Sequence, residues 1–198
     1  MPPLLLQLLP WLAGAIAIVA YVPYLRDTWS GKTRPNRATW WIYTVVGLVA
    51  TSGSFAVGAR ESLTVPLVYA TASLAVALVA IKRGEGGFTL LDRSCLATAA
   101  VSIVLWIATG DPVLAVLLNC VADLAGSLPT MVKAWREPAR ENRWGWILFL
   151  TANSLNLLLI SDWNAWVSLY PVTLWFCSLV ITAGCVLARR ASAAPQPA

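Results

Sequence analysis

The residues with the clearest chemical potential are polar side chains inside long apolar segments. Asp123 is the one carboxylate of nine that falls in the middle of such a segment, since the other eight lie in loops or near segment ends. Asn119 and Ser127 lie four residues before and after it, so a helix would place all three side chains on one face. The next apolar segment adds Asn153 and Asn156, which are three residues apart. These groups predict a binding site for a small polar solute.

Asp123 could also carry a proton. An ionised carboxylate in the middle of a bilayer costs about 2.5–3.5 kcal/mol on insertion scales, so it is a functional site by default. No Lys or Arg lies deep within an apolar segment to neutralise it. Burial without a cation favours the neutral acid, and we expect Asp123 to gain and lose a proton as its exposure changes. The alternative is a permanently protonated Asp123 that joins helices through one hydrogen bond.

The composition places these residues in a membrane protein. Hydrophobic residues make up 59% of the 198-residue chain and charged residues 12%, with a mean hydropathy of +0.71. There is no His, no paired carboxylates within a span and no metal-ligand or nucleophile motif. We therefore expect no enzymatic activity, no metal and no cofactor. The four Cys residues fall inside apolar segments and are interpreted as small packing residues.

Seven apolar segments approach the roughly 20 residues that a membrane-spanning helix needs. They lie at 4–25, 38–59, 63–81, 94–109, 112–132, 144–161 and 165–188. Thirteen of the fourteen Lys and Arg residues fall in alternate loops or at the C-terminus, and Arg60 alone lies on the other side. The positive-inside rule then predicts a plasma-membrane protein with its N-terminus outside and its C-terminus in the cytoplasm. We therefore interpret the formal charge of +5 as the result of the Lys and Arg residues that set the orientation of the chain in the membrane, and we expect no nucleic-acid partner.

The chain repeats itself at an offset of 106 residues. Residue types that seldom match by chance recur at this offset, in the pairs Pro23/Pro129, Trp29/Trp135, Arg34/Arg140, Asn36/Asn142, Arg37/Arg143 and Trp40/Trp146. The repeat predicts an all-α membrane protein in which two parallel three-helix repeats are joined by a linker helix, a 3+1+3 arrangement. The boundaries are 1–83 for the first repeat, 84–110 for the linker and 111–190 for the second repeat. Residues 191–198 are predicted to be a disordered tail.

This arrangement resembles the PQ-loop superfamily, which includes the SWEET sugar transporters, cystinosin-type exporters and KDEL receptors. The resemblance covers residues 5–188 and includes a proline near the cytoplasmic end of the first span in each triplet, here Pro23 and Pro129. Tyr24 and Thr130 follow these prolines where the family has glutamine. The prolines are predicted to be hinges, because each removes a helix hydrogen bond at a matched depth. The alternative is that they only end their helices.

Aromatic residues complete the predicted site. Tyr69 and Trp175 are related by the same offset, and the resemblance to SWEET transporters implies substrate-binding residues at that depth. Nine of the eleven Trp residues lie near segment ends, Trp40 and Trp146 among them, which is typical of interfacial belts. Trp11 and Trp175 lie deeper and need a packing partner or a ligand. We thus predict that Asn119, Asp123, Asn153, Asn156, Tyr69 and Trp175 bind the solute.

The sequence predicts a transporter of a small polar metabolite that works by alternating access, with proton coupling through Asp123. A sugar is the first expectation for the solute and an amino acid the second. The alternative is a receptor or assembly factor, in which the paired R-x-N-R-x-x-W segments recruit a partner or anionic lipid. The expected partners are the solute and the lipid bilayer, and a homo-oligomer remains open.

Overall fold

A computed structural model describes residues 3–56, 64–87, 89–160, 163 and 165–189. These residues form seven α-helices, which confirms the predicted all-α class. The helices are α1 Pro3–Trp29, α2 Arg37–Ala56, α3 Thr64–Arg83, α4 Leu90–Thr109, α5 Pro112–Arg136, α6 Arg143–Leu157 and α7 Ala165–Ala183. A 3-10 turn at Pro138–Arg140 precedes α6, and a π-helical turn at Gly184–Ala188 extends α7. The predicted tail at 191–198 lies outside the described residues.

The repeated asparagine starts the second helix of each half. The side-chain oxygen of Asn36 accepts a hydrogen bond from Thr39 N (3.1 Å), and that of Asn142 accepts one from Gly145 N (2.6 Å). Such a cap satisfies a backbone donor that has no partner within the helix. Each asparagine also donates to a carboxylate, Asn36 to Asp92 (2.9 Å) and Asn142 to Asp27 (2.6 Å). The recurrence of this asparagine at the repeat offset therefore has a structural cause.

The linker helix α4 is bounded by strong local signals. Thr89 and Asp92 form a capping box at its start, in which each side chain bonds the other residue's backbone N–H. Gly110 ends the helix in the left-handed conformation, with φ of 63°. Asp111 immediately caps α5 by accepting from Val113 N and Leu114 N. The connection between α4 and α5 is therefore only two residues long.

The helix packing has the same order in both halves. α3 packs between α1 and α2, and α7 packs between α5 and α6. Across the halves, α1 packs against α6 and α2 packs against α5, while α4 covers α5 and part of α2. The α2–α5 contact is close, because a Cβ on Gly126 would lie 2.7 Å from Ile42 Cγ2. Contacts between halves therefore join the first helix of one to the second helix of the other.

The outer surface is apolar. Among the described helices, Leu90–Thr109 and Ser168–Ala188 are long and apolar enough to cross a membrane. Large hydrophobic side chains also point outward from other helices, for example Val22 and Leu78. Trp11 is 79% exposed, so its ring does not pack into the described bundle. It lies on the outer surface of α1.

Two tryptophans differ from the predicted interfacial belts. Trp40 is 1% exposed and Trp146 is 4% exposed, and both belong to the main hydrophobic core. Their neighbours Trp41 and Trp144 face outward, as belt residues would. An α-helix turns by about 100° per residue, so Trp41 lies about 100° from Trp40 and Trp144 about 200° from Trp146, and one tryptophan of each pair points into the bundle.

Candidate functional site

The six helices of the two halves line a cavity of about 440 Å³. This volume lies within the range of about 300–1,000 Å³ that is usual for small-molecule sites. Described residues of α1, α2, α3, α5, α6 and α7 line it, whereas those of α4 do not. The cavity is therefore a shared feature of both halves.

Four of the predicted site residues meet in this cavity: Tyr69, Asp123, Asn153 and Asn156. They come from three different helices, α3, α5 and α6. The Asn153 amide donates to Leu174 O (3.3 Å) and Ser178 Oγ (3.2 Å), which holds it against α7. The polar face predicted from helical spacing on α6 thus lines the cavity.

Asp123 is the chemically unusual member of the site. Its residue is 3% exposed, and its Oδ2 atom is buried without a hydrogen-bond partner. The Tyr170 hydroxyl interacts with the Asp123 carboxyl and also with the Asn119 side chain. A buried polar atom without a partner costs free energy, so such an atom beside a cavity suggests that a ligand or proton satisfies it.

Two predicted site residues lie outside the cavity lining. Asn119 lies one helical turn from Asp123 and reaches it through Tyr170. Trp175 donates its indole N–H to Ser154 Oγ (3.1 Å), a contact between α7 and α6. The aligned pair Tyr69 and Trp175 therefore occupies different environments, since Tyr69 lines the cavity and Trp175 joins α7 to α6.

Six aromatic side chains form one side of the cavity, which we call the aromatic wall. Adjacent rings have centroid separations of 4.9 to 6.4 Å. The wall runs through Tyr69, Tyr21, Phe149, Trp146, Trp40 and Tyr43. Sequence reasoning included only Tyr69 in the site. The recurrence of Trp40 and Trp146 at the repeat offset was the one available signal for the others, and it was interpreted as a membrane belt.

A cluster of charged groups lies next to the aromatic wall, where α3 and α5 end and α6 begins. This charged end contains Glu85, Lys133, Glu137, Arg140 and Glu141. Lys133 forms an ion pair with Glu141 and a second one with Glu85 at 3.4 Å. Its ammonium group also donates to the backbone carbonyl of Arg34. Lys133 and Glu141 are buried, at 9% and 2% exposed.

The residue after each proline makes a hydrogen bond into the other half. Tyr24 donates to Glu141 Oε2 (3.0 Å), and Thr130 donates to Thr39 Oγ1 (2.9 Å). Tyr24 also accepts from the indole N–H of Trp40 (3.2 Å). Trp146 donates to the same Glu141 oxygen (2.9 Å), so the aromatic wall is tied directly to the charged end.

Pro23 and Pro129 lie within continuous helices. α1 continues past Pro23 to Trp29, and α5 continues past Pro129 to Arg136. The alternative that these prolines merely end their helices is therefore wrong. Whether they act as hinges stays a prediction.

The described part of the chain contains no group of three or more Cys, Asp and Glu side chains that could hold a metal ion. The four Cys residues are buried free thiols, and Cys177 lines the cavity. Comparison with protein-family models, curated proteins and solved structures finds no match. The site must therefore be interpreted from its own geometry.

Proposed function

We propose that the chain is a seven-span membrane transporter with the 3+1+3 architecture of the PQ-loop superfamily. The support is the agreement between the seven predicted apolar segments and the seven helices, together with the equivalent packing of α1–α3 and α5–α7. The apolar outer surface fits a lipid environment. The distribution of Lys and Arg favours a cytoplasmic location for the charged end.

The observation that carries the transport proposal is the cavity between the halves, with an unpartnered carboxylate oxygen of Asp123 at its wall. Alternating access needs a central site and two closures that open in turn. In this proposal the charged end forms one closure together with Trp40 and Trp146, whose indole groups are bonded toward Glu141. In this proposal Pro23 and Pro129 are the hinges, because each lies next to a residue that bonds the other half.

Proton coupling is the second part of the proposal. Asp123 has no cationic side chain among the described residues of the cavity, so protonation is one way to remove its charge. A change of exposure between the two conformations would then change its affinity for a proton. This is the linkage that couples proton movement to solute movement.

The test is uptake into liposomes that contain the purified protein. Radiolabelled glucose, alanine and choline would be offered under pH gradients of both directions. We expect gradient-driven accumulation of a solute by the wild type and its loss in Asp123→Asn. Asp111→Asn is the matched control, because it makes the same change on the same helix at an exposed cap and asparagine also caps helices well. Equal gradient-driven uptake by Asp123→Asn and the wild type would contradict proton coupling.

The receptor alternative stays a prediction with less support. Arg37 donates to Ala80 O (3.0 Å) and Gly86 O (3.1 Å), and the Arg34 backbone N–H donates to Arg140 O (2.9 Å). Asn36 and Asn142 cap helices. These internal contacts explain much of the repeated segment without an external partner.

A further inference from the structure

The cavity has an uncompensated acid. Asp123 provides the only carboxyl group among the described lining residues, and none of those residues is Lys or Arg. One of its oxygens has no hydrogen-bond donor. In a site of this kind a ligand that brings a positive charge gains a charge-assisted hydrogen bond, which is roughly twice as strong as a neutral one.

The aromatic wall faces the same space. Cations are attracted to the faces of aromatic rings, and recognition of ammonium groups by several rings is a recurrent use of this effect. Tyr21 contacts the rings of Phe149 and Tyr69 at 4.9 and 6.3 Å, in edge-to-face geometry. Tyr21, Phe149, Trp146 and Trp40 belong to the buried core, so the partly buried rings of Tyr43 and Tyr69 are the ones that a ligand in the cavity would contact.

Four polar groups of the aromatic wall already have hydrogen-bond partners. The hydroxyl groups of Tyr21 and Tyr43 form hydrogen bonds with Ser73 (3.1 Å) and Ser127 (2.6 Å). The indole N–H groups of the wall donate toward the charged end, as described above. The wall therefore offers a ligand mainly the rings of Tyr43 and Tyr69, and few hydrogen-bonding groups.

These features distinguish three classes of solute. A sugar needs partners for several hydroxyl groups, because burying an unpaired hydroxyl costs free energy. Of the two lining amides, Asn153 already donates to Leu174 and Ser178, which leaves mainly Asn156 for a sugar. An amino acid brings a carboxylate, which would lie near Asp123 without a Lys or Arg to pair with it. An amine or quaternary ammonium ion pairs with Asp123 and contacts the aromatic rings. We infer that the cavity binds a monovalent organic cation that carries no acidic group.

This inference rests on the proposed transport function and deepens it. A proton and an organic cation would compete for the Asp123 carboxylate, and either occupant neutralises its single negative charge. One cation would therefore exchange for one proton. The titratable groups that interact with Asp123 are Tyr43 from α2, Tyr170 and Cys177 from α7, and Cys120 from α5. None of these groups is a cation that would compete with the ligand.

The experiment uses isothermal titration calorimetry on the purified full chain in detergent, with three probes of similar size. Choline carries a quaternary ammonium group and a hydroxyl group. In 3,3-dimethylbutan-1-ol a neutral carbon replaces the choline nitrogen, and in glycine betaine a carboxylate replaces the hydroxymethyl group of choline. We expect choline to bind about tenfold or more tightly than either other probe, the size of effect that roughly 1.4 kcal/mol produces. We also expect choline affinity to fall as the pH is lowered.

Asp123→Asn and Tyr69→Leu test the two parts of the site. Asp123→Asn should lose choline affinity by about tenfold or more, and it should lose the pH dependence of binding. Tyr69→Leu removes one ring and should weaken choline more than 3,3-dimethylbutan-1-ol. Asp111→Asn should bind as the wild type does. The probe series on the wild type remains decisive if a variant fails to fold.

The outcomes separate this inference from the transport proposal. Equal affinity for choline and its neutral analogue, tighter binding of betaine, or no binding of choline would each overturn the organic-cation inference. Uptake of glucose or alanine by a protein that does not bind choline would leave transport intact and reject the cation. Choline binding without uptake into liposomes would support the inference and reject transport.

Discussion

Replacing Glu141 with glutamine removes the negative charge from the buried ion pair at the charged end. The Glu141 side chain is fully buried and contacts Lys133, Tyr24 (3.0 Å) and Trp146 (2.9 Å). Breaking a buried pair by neutralising one partner typically costs about 3–5 kcal/mol, because the other charge stays buried. Lys133 keeps its contact with Glu85 at 3.4 Å, so we expect a cost near the lower limit, about 3 kcal/mol.

The measurement is thermal unfolding of the purified protein. At roughly 2–4 °C per kcal/mol for a chain of this size, Glu141→Gln should lower the Tm by about 6–12 °C. The double variant Lys133→Met/Glu141→Gln should recover much of this loss, because it leaves no buried charge in the pair and the glutamine oxygen can still accept from Tyr24 and Trp146.

Glu137→Gln is the matched control. Glu137 pairs with Arg140 at 2.8 Å in the same cluster, but both side chains are about half exposed, at 49% and 48%. Exposed pairs contribute less than about 1 kcal/mol. If the Tm of Glu141→Gln lay within about 2 °C of the Tm of Glu137→Gln, this would refute the argument that burial makes the Lys133–Glu141 pair contribute more to stability than an exposed pair.

Two further predictions concern local structure. Asn142→Ala should destabilise the protein by about 1–2 kcal/mol, because it removes the cap on Gly145 N and the hydrogen bond to Asp27. Chemical denaturation measures this loss against Asn142→Asp, which keeps a capping oxygen. Gly86→Ala should cost about 1–2 kcal/mol or more, because Gly86 has a φ of 68° and an added Cβ would collide with the Asn36 amide; a Tm equal to that of the wild type would contradict this geometry.

The helices were predictable because their causes are local. Long apolar segments, a capping asparagine at positions 36 and 142, and an aspartate followed by proline at 111–112 all act over a few residues. The polar faces on α5 and α6 were also predictable from helical spacing, and Asp123, Asn153 and Asn156 do share the cavity. Trp175 was selected by its alignment with Tyr69, and sequence alignment alone does not specify which way a helix is rotated against its neighbours.

By itself, the sequence determined the helical class, the duplication, and the presence of an acid within an apolar segment, since composition, spacing and repetition can be read along one chain. The tertiary structure alone decided which aromatic rings surround that acid, that Trp40 and Trp146 are buried, and that Lys133 pairs with Glu141. These contacts join helices that lie far apart in the sequence. α1 and α6, for example, pack together although more than 100 residues separate them. Their relative rotation is set by the packing of the whole bundle, to which every helix contributes.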